Sequence, residues 1–224
     1  MSRRSNFAFR CDRCRLHQSL CICDHIPTVQ TRTRLVLVMH RAEDRKSTNT
    51  GRLATLCLPN SETWIRGNEE APSEAFVPPE GRESLLLFPA EDAIPIADFP
   101  RGDKPVTLIV PDGNWRQAAK VRNRVPGLSR LPCVTLPKGE PSIYRLRFEA
   151  HEGGLATMEA IARAFGILEG AHVQREMEQI FRMMVERTLW ARGRVQDEHV
   201  TGGIPEGATR HDPRSGILGK RGAW

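Results

Sequence analysis

The 224-residue sequence lacks any continuous apolar stretch of the length that a transmembrane helix requires. Its polar start, residues 1–6, also lacks the apolar segment of a secretory signal. We therefore expect a cytoplasmic protein with no membrane partner. In that reducing compartment the six cysteines are expected to be thiols or metal ligands rather than disulfides.

The charge of the chain is moderately positive. A net charge of +6 results from 33 Lys and Arg against 27 Asp and Glu, and Arg is more frequent than Lys. Guanidinium groups suit binding to a polyanion, although solubility alone also accounts for such a charge. The length fits one main domain with a small addition at either end.

Four of the cysteines lie close together near the N-terminus, as Cys11-x2-Cys14 and Cys21-x-Cys23. The surrounding stretch is too short and too polar to form its own hydrophobic core. Four thiolates at this spacing can surround a tetrahedral Zn²⁺, although the Cys-x-Cys half is tighter than the usual two-residue spacing. We predict a zinc-binding module over residues 1–30, with a redox pair or idle thiols as the alternatives.

Short apolar runs alternate with helical patterns along most of the chain, which predicts an α/β fold with a mainly parallel sheet and flanking helices. Apolar residues spaced three and four apart predict two amphipathic core helices after Gly154. From Gly193 the periodicity vanishes, and we expect a basic, flexible tail over residues 193–224. The predicted strands are Arg34–Met39, Thr63–Arg66, Ser84–Pro89, Val106–Val110 and Cys133–Pro137.

The strand that begins at Val106 is followed by Pro111-Asp-Gly-Asn114, and a helical pattern starts directly at Trp115. In open α/β sheets ligands bind at the carboxyl ends of the strands, and the start of a helix offers free backbone N–H groups. Asp112 is therefore a candidate site residue. The alternative is a plain turn in which Asp112 caps the helix and Trp115 packs in the core.

Two further polar segments follow predicted strands. Residues 47–50 precede a short helical pattern and could cap that helix or cradle an anion. Residues 138–147 carry two guanidinium groups beside hydroxyl groups, which together can hold a carboxylate or a phosphate. These side chains belong to Ser142, Tyr144, Arg145 and Arg147.

Several blocks, taken in their order along the chain, resemble the DTW-domain family. They are the cysteine motif Cys11–Cys23, Thr48–Arg52, Asp112–Trp115 with Gln117 and Lys120, Ser142–Arg147 and Leu155–Ala160. The resemblance covers roughly residues 11–190. One departure is Asn114, which stands where the family has Thr. Asn keeps a short hydrogen-bonding side chain that can still cap a helix.

The members of this family are tRNA-uridine aminocarboxypropyltransferases, similar in fold to the knotted SPOUT methyltransferases. The resemblance therefore implies a SPOUT-like catalytic domain over residues 31–192. It also implies transfer of the 3-amino-3-carboxypropyl group from S-adenosylmethionine to N3 of a tRNA uridine, with release of methylthioadenosine. Two other functions stay open: a SPOUT-type tRNA methyltransferase, and a non-catalytic zinc-bearing RNA-binding protein.

Roles follow from this chemistry for the segment after the Val106 strand. The N3–H of uridine is weakly acidic, so its alkylation needs a base or a hydrogen-bond acceptor, which Asp112 can provide. Asn114 and Trp115 complete the predicted catalytic set. Trp115 could support the loop or stack on a base, with core packing as the alternative.

The predicted cofactor site lies around the later strand ends. Arg147, with Ser142 and Tyr144, is the candidate for holding the amino-acid end of S-adenosylmethionine. Residues at three strand ends complete the predicted cofactor set, and they are Pro89, Pro111 and Leu136.

Basic and polar residues near the site are predicted to bind tRNA. Of these residues, the ones in the helical pattern that starts at Trp115 lie mostly outside the apolar face of that helix. Two residues of the set, Asn49 and Arg52, form a second candidate wall of the site together with His40 and Glu43. The full tRNA-binding set is Asn49, Arg52, Arg116, Lys120, Arg122 and Arg124.

Overall fold

The structure is a computed structural model that describes residues 9–44, 46, 48–67, 74–100, 102–146 and 154–210. The strands are β1 (Arg34–His40), β2 (Ser61–Arg66), β3 (Glu83–Leu87), β4 (Ile94–Pro95), β5 (Val106–Asp112) and β6 (Cys133–Thr135). The helices are α1 (Arg41–Asp44), α2 (Gly51–Cys57), α3 (Trp115–Ala118), α4 (Val121–Arg124), α5 (Thr157–Glu169) and α6 (Ala171–Ala191).

The six strands form one sheet in the order β2-β1-β5-β3-β6-β4, and every neighbouring pair is parallel. The predicted parallel α/β fold is confirmed. β1 and β5 are adjacent interior strands, with Leu37 opposite Val110, and all seven residues of β5 are buried. Burial on both faces explains why these strands read as continuous apolar runs in the sequence.

Two hydrophobic clusters cover the two faces of the sheet. On one face, Leu35 and Leu37 pack with residues of α2, α5 and α6. On the other face, Val36 and Val38 pack with Phe76 and with residues of α4. The alternation along β1 follows from the period of two in a strand, which sends successive side chains to opposite faces. The sheet is therefore a middle layer between helices.

The structure contains a strand that the sequence does not predict. β4 pairs with β6 at the edge of the sheet and is only two residues long. It includes Pro95, and proline is tolerated in strands at such edges because the missing N–H faces away from a partner. A strand of two residues that includes a proline shows no alternation of apolar and polar residues, so the sequence does not predict it.

The helical pattern that starts at Trp115 is interrupted, whereas the sequence predicts one continuous helix. The carbonyl of Gln117 accepts from the backbone N–H of Lys120 at 3.3 Å and from Nη2 of Arg66 at 2.6 Å. In an uninterrupted helix that carbonyl would accept from Val121. The hydrogen bond from Arg66 of β2 therefore occurs at the point where the helix is interrupted between α3 and α4.

The ends of the described chain pack against α6. Leu16 and Ile22 belong to the main hydrophobic cluster, and Nη1 of the buried Arg187 donates to the carbonyl of Cys21 at 2.6 Å. After α6, Val200 is buried beside Trp190. The packed chain thus extends through residues 193–210, where the sequence predicts the start of a flexible tail. Within the described ranges, no helix is long and apolar enough to cross a membrane.

Candidate active site

A cavity of about 1250 Å³ opens at the carboxyl ends of β3, β5 and β6. Parallel strands end at the same edge of a sheet, and the loops that follow them form the walls. One wall follows β3 at Phe88, a second follows β5 from Asp112 to Trp115, and a third follows β6 from Leu136 to Pro141. The first turns of α5 close the remaining side.

Asp112 lies at the inner end of this cavity and is only 3% exposed. Its Oδ2 accepts from Nδ2 of Asn49 at 2.5 Å, and its Oδ1 accepts from the Thr157 hydroxyl at 2.6 Å. Residues before α2, at the end of β5 and in α5 therefore meet at one carboxylate. Gly51 allows this approach, because a Cβ there would lie 3.1 Å from Cγ of Asp112.

The loop after Asp112 is held by a capping box. The Asn114 side chain accepts from the backbone N–H of Gln117, and the Gln117 side chain accepts from the backbone N–H of Asn114, both at 2.9 Å. The predicted helix cap at Asn114 is confirmed. Trp115 lines the cavity half-buried, and its ring lies 6.0 Å from that of Phe88 at an angle of 58°.

Glu159 connects the loop after β6 to the start of α5, and it is 3% exposed. Its Oε2 accepts from the Ser142 hydroxyl at 2.5 Å and from the Ala156 backbone N–H at 2.9 Å. Its Oε1 accepts from the Ile143 backbone N–H at 2.8 Å. This carboxylate therefore fixes two of the cavity walls relative to each other. It also explains why α5 begins at Thr157 and not directly after Gly154.

The structure separates the predicted cofactor residues into three groups. Pro89, Pro111, Leu136 and Tyr144 line the cavity. The Tyr144 hydroxyl donates to the carbonyl of Thr48 at 2.7 Å. Ser142 does not line the cavity, because its hydroxyl is directed to Glu159. Arg147 lies outside the described residues.

The predicted tRNA residues are also divided. Arg52 forms an ion pair with Asp44, and Arg122 donates two hydrogen bonds to Asp92 at 2.6 and 2.7 Å. These two guanidinium groups are therefore already paired. Asn49 lines the cavity but is 9% exposed and bonded to Asp112, which does not fit a direct contact with tRNA. The exposed members of the set are Arg116, Lys120 and Arg124.

The predicted second wall is only partly present. Glu43 lines the cavity and forms an ion pair with Lys46. His40 does not line the cavity, and its Nδ1 accepts from the backbone N–H of Ala42 at 3.1 Å. Burial and the charge of Arg66 lower the pKa of His40 below its usual value, so the imidazole is neutral at pH 7.

The N-terminal cysteines form a compact cluster away from the cavity. One ligand atom from each of Cys11, Cys14, Cys21 and Cys23 lies within 4.8 Å of the others, and two of the separations are 3.5 and 3.8 Å. A tetrahedral zinc with bonds of about 2.3 Å places its sulfurs about 3.8 Å apart. Burial raises the pKa of Cys14 to about 11, so its thiolate at pH 7 requires a cation. The donor set and its spacing fit Zn²⁺.

Sequence reasoning missed Thr157 and Arg163, which line the cavity, and Glu159, which joins two of its walls. The first two, with Ala160 between, line the cavity at a spacing of three residues on α5. That spacing was a usable signal for one helix face. Glu159 stands three residues after the N-cap Ala156, where an acidic side chain commonly accepts from the cap's N–H.

This fold and cavity define an α/β protein of the kind that binds its ligands at the carboxyl edge of a parallel sheet. The chain belongs to the DTW-domain family, since the DTW domain matches residues 8–189. The family predicted from the sequence motifs is confirmed.

The chain is similar to several curated proteins. It is 28% identical over 167 residues to tRNA-uridine aminocarboxypropyltransferase 2 of Drosophila melanogaster, covering 71% of this chain and 66% of that protein. With the protein of the same name from Mus musculus, identity is 32% over 169 residues, covering 71% and 56%. For tRNA-uridine aminocarboxypropyltransferase A of Arabidopsis thaliana it is 26% over 210 residues, covering 78% and 79%. The chain thus spans 56% to 66% of the length of the first two relatives.

Among solved structures, the chain is similar to the SAM-dependent rRNA:acp-transferase Tsr3 from Vulcanisaeta distributa. The sequence identity is 16% and the TM-score is 0.42, with 76% of this chain and 85% of that chain covered.

Proposed function

We propose that the protein transfers the 3-amino-3-carboxypropyl group of S-adenosylmethionine to N3 of a uridine in tRNA. The observation that carries this proposal is the buried carboxylate of Asp112, held by two side-chain donors at the wall of a large cavity. The names of the relatives from three organisms supply the class of reaction. The cavity also exceeds the roughly 300–1000 Å³ of most small-molecule sites, which leaves room for a base beside S-adenosylmethionine.

In this reaction the residues of the chain provide a base, an apolar wall and a fixed geometry. S-adenosylmethionine, when bound, supplies an electrophilic carbon whose bond to the sulfonium sulfur breaks, so that the electron pair leaves on methylthioadenosine. Asp112 accepts the N3 proton of uridine as N3 forms its new bond to carbon. Asn49 and Thr157 hold the carboxylate in one orientation for that transfer. Trp115 lines the cavity, and we assign its ring to stacking on a base.

Nucleoside and by-product analysis tests the proposed reaction. We expect tRNA incubated with the protein and S-adenosylmethionine to gain 3-(3-amino-3-carboxypropyl)uridine, with methylthioadenosine in equal amount. Mass spectrometry of the digested tRNA and chromatography of the spent S-adenosylmethionine measure the two products. S-adenosylhomocysteine with a methylated nucleoside would instead show a methyltransferase. Tight binding of tRNA with neither product would indicate a non-catalytic RNA-binding protein.

We place tRNA against the exposed basic residues beside the cavity mouth. Arg116 lines the cavity, and Lys120, between α3 and α4, and Arg124, at the end of α4, are also exposed. Such a surface attracts phosphates without regard to sequence and brings a nucleotide to the site. Arg52 and Arg122 are not part of this surface, because each is already bound to a carboxylate.

Charge reversal at Lys120 and Arg124 is expected to weaken tRNA binding and to reduce the slope of log affinity against log salt by about 2. Filter binding over a salt series measures both effects. The control is the pair Lys104→Glu and Arg175→Glu, which changes the net charge equally on other exposed surfaces. Unchanged affinity in the Lys120→Glu and Arg124→Glu variant would refute this surface. The zinc module or the C-terminal residues would then be the docking surface.

We also assign a structural Zn²⁺ to Cys11, Cys14, Cys21 and Cys23. A site closed by four thiolates has no open coordination position, so it is not catalytic. The cluster packs against α6 through the contact from Arg187 to Cys21, and none of its cysteines lines the cavity. Its role is to hold the N-terminal segment on the main domain.

We expect protein purified without chelators to contain about one zinc per chain. Cys11→Ser should lose that zinc and reduce solubility or tRNA affinity more than affinity for S-adenosylmethionine. Elemental analysis and binding titrations provide these measurements. Cys133→Ala is the matched control, because it removes a thiol that lies outside the cluster and should retain the metal. Wild-type protein without zinc would exclude this assignment.

A further inference from the structure

We propose that Arg163 binds the carboxylate of the amino-acid part of S-adenosylmethionine, which makes it a specificity-determining residue for the reaction. This inference rests on the proposed function for the identity of the ligand. Its structural basis is independent of Arg147, which the sequence predicts for the same role and which lies outside the described residues.

The position of Arg163 follows from the face that α5 presents to the cavity. Thr157, Ala160 and Arg163 all line the cavity, and residues three apart lie on the same side of a helix. Thr157 contacts Asp112 at one end of this face. At 1.5 Å per residue, Arg163 lies about 9 Å further along the helix axis. The same wall therefore presents a proton acceptor at one end and a guanidinium group at the other.

The guanidinium group also adjoins a second wall of the cavity. A Cβ added at Gly139 would lie 3.3 Å from Nη1 of Arg163, so the group adjoins the loop that follows β6. Gly139 and Arg163 both line the cavity. A ligand that enters between α5 and this loop therefore meets Arg163 from within the cavity rather than from the outer surface.

The donors of Arg163 are available to a ligand. Arg163 is a half-buried residue, and in the described ranges of the chain no hydrogen bond or ion pair engages its guanidinium group, although Glu140 lines the same cavity. The other cations that line the cavity, Arg116 and Lys138, are exposed. Glu43 is paired with Lys46. A guanidinium group without a partner among the described residues is matched by a carboxylate, which can accept two parallel N–H bonds.

The position of Arg163 affects which carbon of S-adenosylmethionine reacts. With its carboxylate on Arg163, the aminocarboxypropyl chain extends along α5 toward Asp112, where the uridine N3 lies in the proposed reaction. The carbon next to sulfur can then face N3. An amino-acid chain without this anchor is free to fold aside, and the methyl group can take that place. Arg163 would thereby favour aminocarboxypropyl transfer over methyl transfer.

Equilibrium binding of two ligands tests the inference without relying on catalysis. The probes are S-adenosylmethionine and decarboxylated S-adenosylmethionine, which keeps the sulfonium and the amine but lacks the carboxylate. By calorimetry, wild-type protein should bind the complete ligand about 10- to 100-fold more tightly. Arg163→Gln should remove most of this difference by weakening only the complete ligand, and Arg163→Lys should retain part of it. Arg175→Gln, on the exposed side of α6, is the control.

The possible failures are distinct. The inference is overturned if Arg163→Gln keeps the wild-type preference, if it weakens both ligands equally, or if Arg147→Gln alone removes the preference. In each of these cases the wild-type protein still binds S-adenosylmethionine, and aminocarboxypropyl transfer stands. Wild-type protein that binds neither ligand would overturn the inference together with the proposed function.

Discussion

Asp112→Asn is expected to lower the turnover by about 10²- to 10⁴-fold, the usual contribution of a general base. The amide cannot accept the N3 proton of uridine, so the step that frees the nitrogen lone pair loses its acceptor. The binding of S-adenosylmethionine should change little, because the substitution keeps the shape of the cavity wall. The loss should therefore appear in kcat and not in KM.

The two side-chain contacts of Asp112 are compatible with an amide. Its carbonyl oxygen can accept from Nδ2 of Asn49, and its NH₂ group can donate to the Thr157 hydroxyl, which is able to accept. The melting temperature of Asp112→Asn should therefore stay near that of the wild type. Asp98→Asn removes an exposed carboxylate elsewhere and should keep full turnover.

Single-turnover rates with purified tRNA separate the chemical step from binding in these variants. Near-normal turnover in Asp112→Asn would place the base at another residue. Glu43 would be the next candidate, since it is a buried carboxylate that lines the same cavity.

The parts of the fold that were predictable are those in which local pattern and tertiary environment agree. β1 and β5 are covered on both faces, so each is a continuous apolar run that needs no knowledge of its neighbours. β4 was missed because a two-residue edge strand with Pro95 has no alternation to detect. The break between α3 and α4 was missed because it involves Arg66, a residue of β2 that lies 51 positions before Gln117.

The positions of site residues could be predicted from the sequence where they depend only on where a strand ends. Asp112, Pro111 and Leu136 follow or end parallel strands and therefore line the cavity at one edge of the sheet. Side-chain partners were not predictable in this way. A hydroxyl beside arginines suggested a ligand contact for Ser142, but its partner is Glu159, 17 residues further along the chain. The pairing of Arg122 with Asp92 likewise depends on how two loops meet in space.

Glu159→Gln is expected to lower the free energy of unfolding by about 1–3 kcal/mol, although it changes neither shape nor volume. Each carboxylate oxygen of Glu159 accepts from a backbone N–H, Oε1 from Ile143 and Oε2 from Ala156. A backbone N–H can only donate, and so can the NH₂ of an amide. In either orientation of Gln, one buried N–H therefore faces another donor. Glu159→Ala should cost more, because both N–H groups and the Ser142 hydroxyl lose their acceptor.

Urea unfolding of these variants, followed by circular dichroism, measures the effect. Glu176→Gln provides the matched control, since it makes the same change at an exposed position of α6 and should leave the midpoint unchanged. Because Glu159 holds the start of α5, Glu159→Gln should also weaken the binding of S-adenosylmethionine through displacement of Thr157 and the loop after β6. A Glu159→Gln protein as stable as the wild type would mean that the two N–H groups find other acceptors. The same exchange of carboxylate for amide is therefore expected to lower turnover but not stability at Asp112, where the Thr157 hydroxyl can accept from the new amide. At Glu159 it is expected to lower stability, because each carboxylate oxygen faces a backbone N–H that cannot accept.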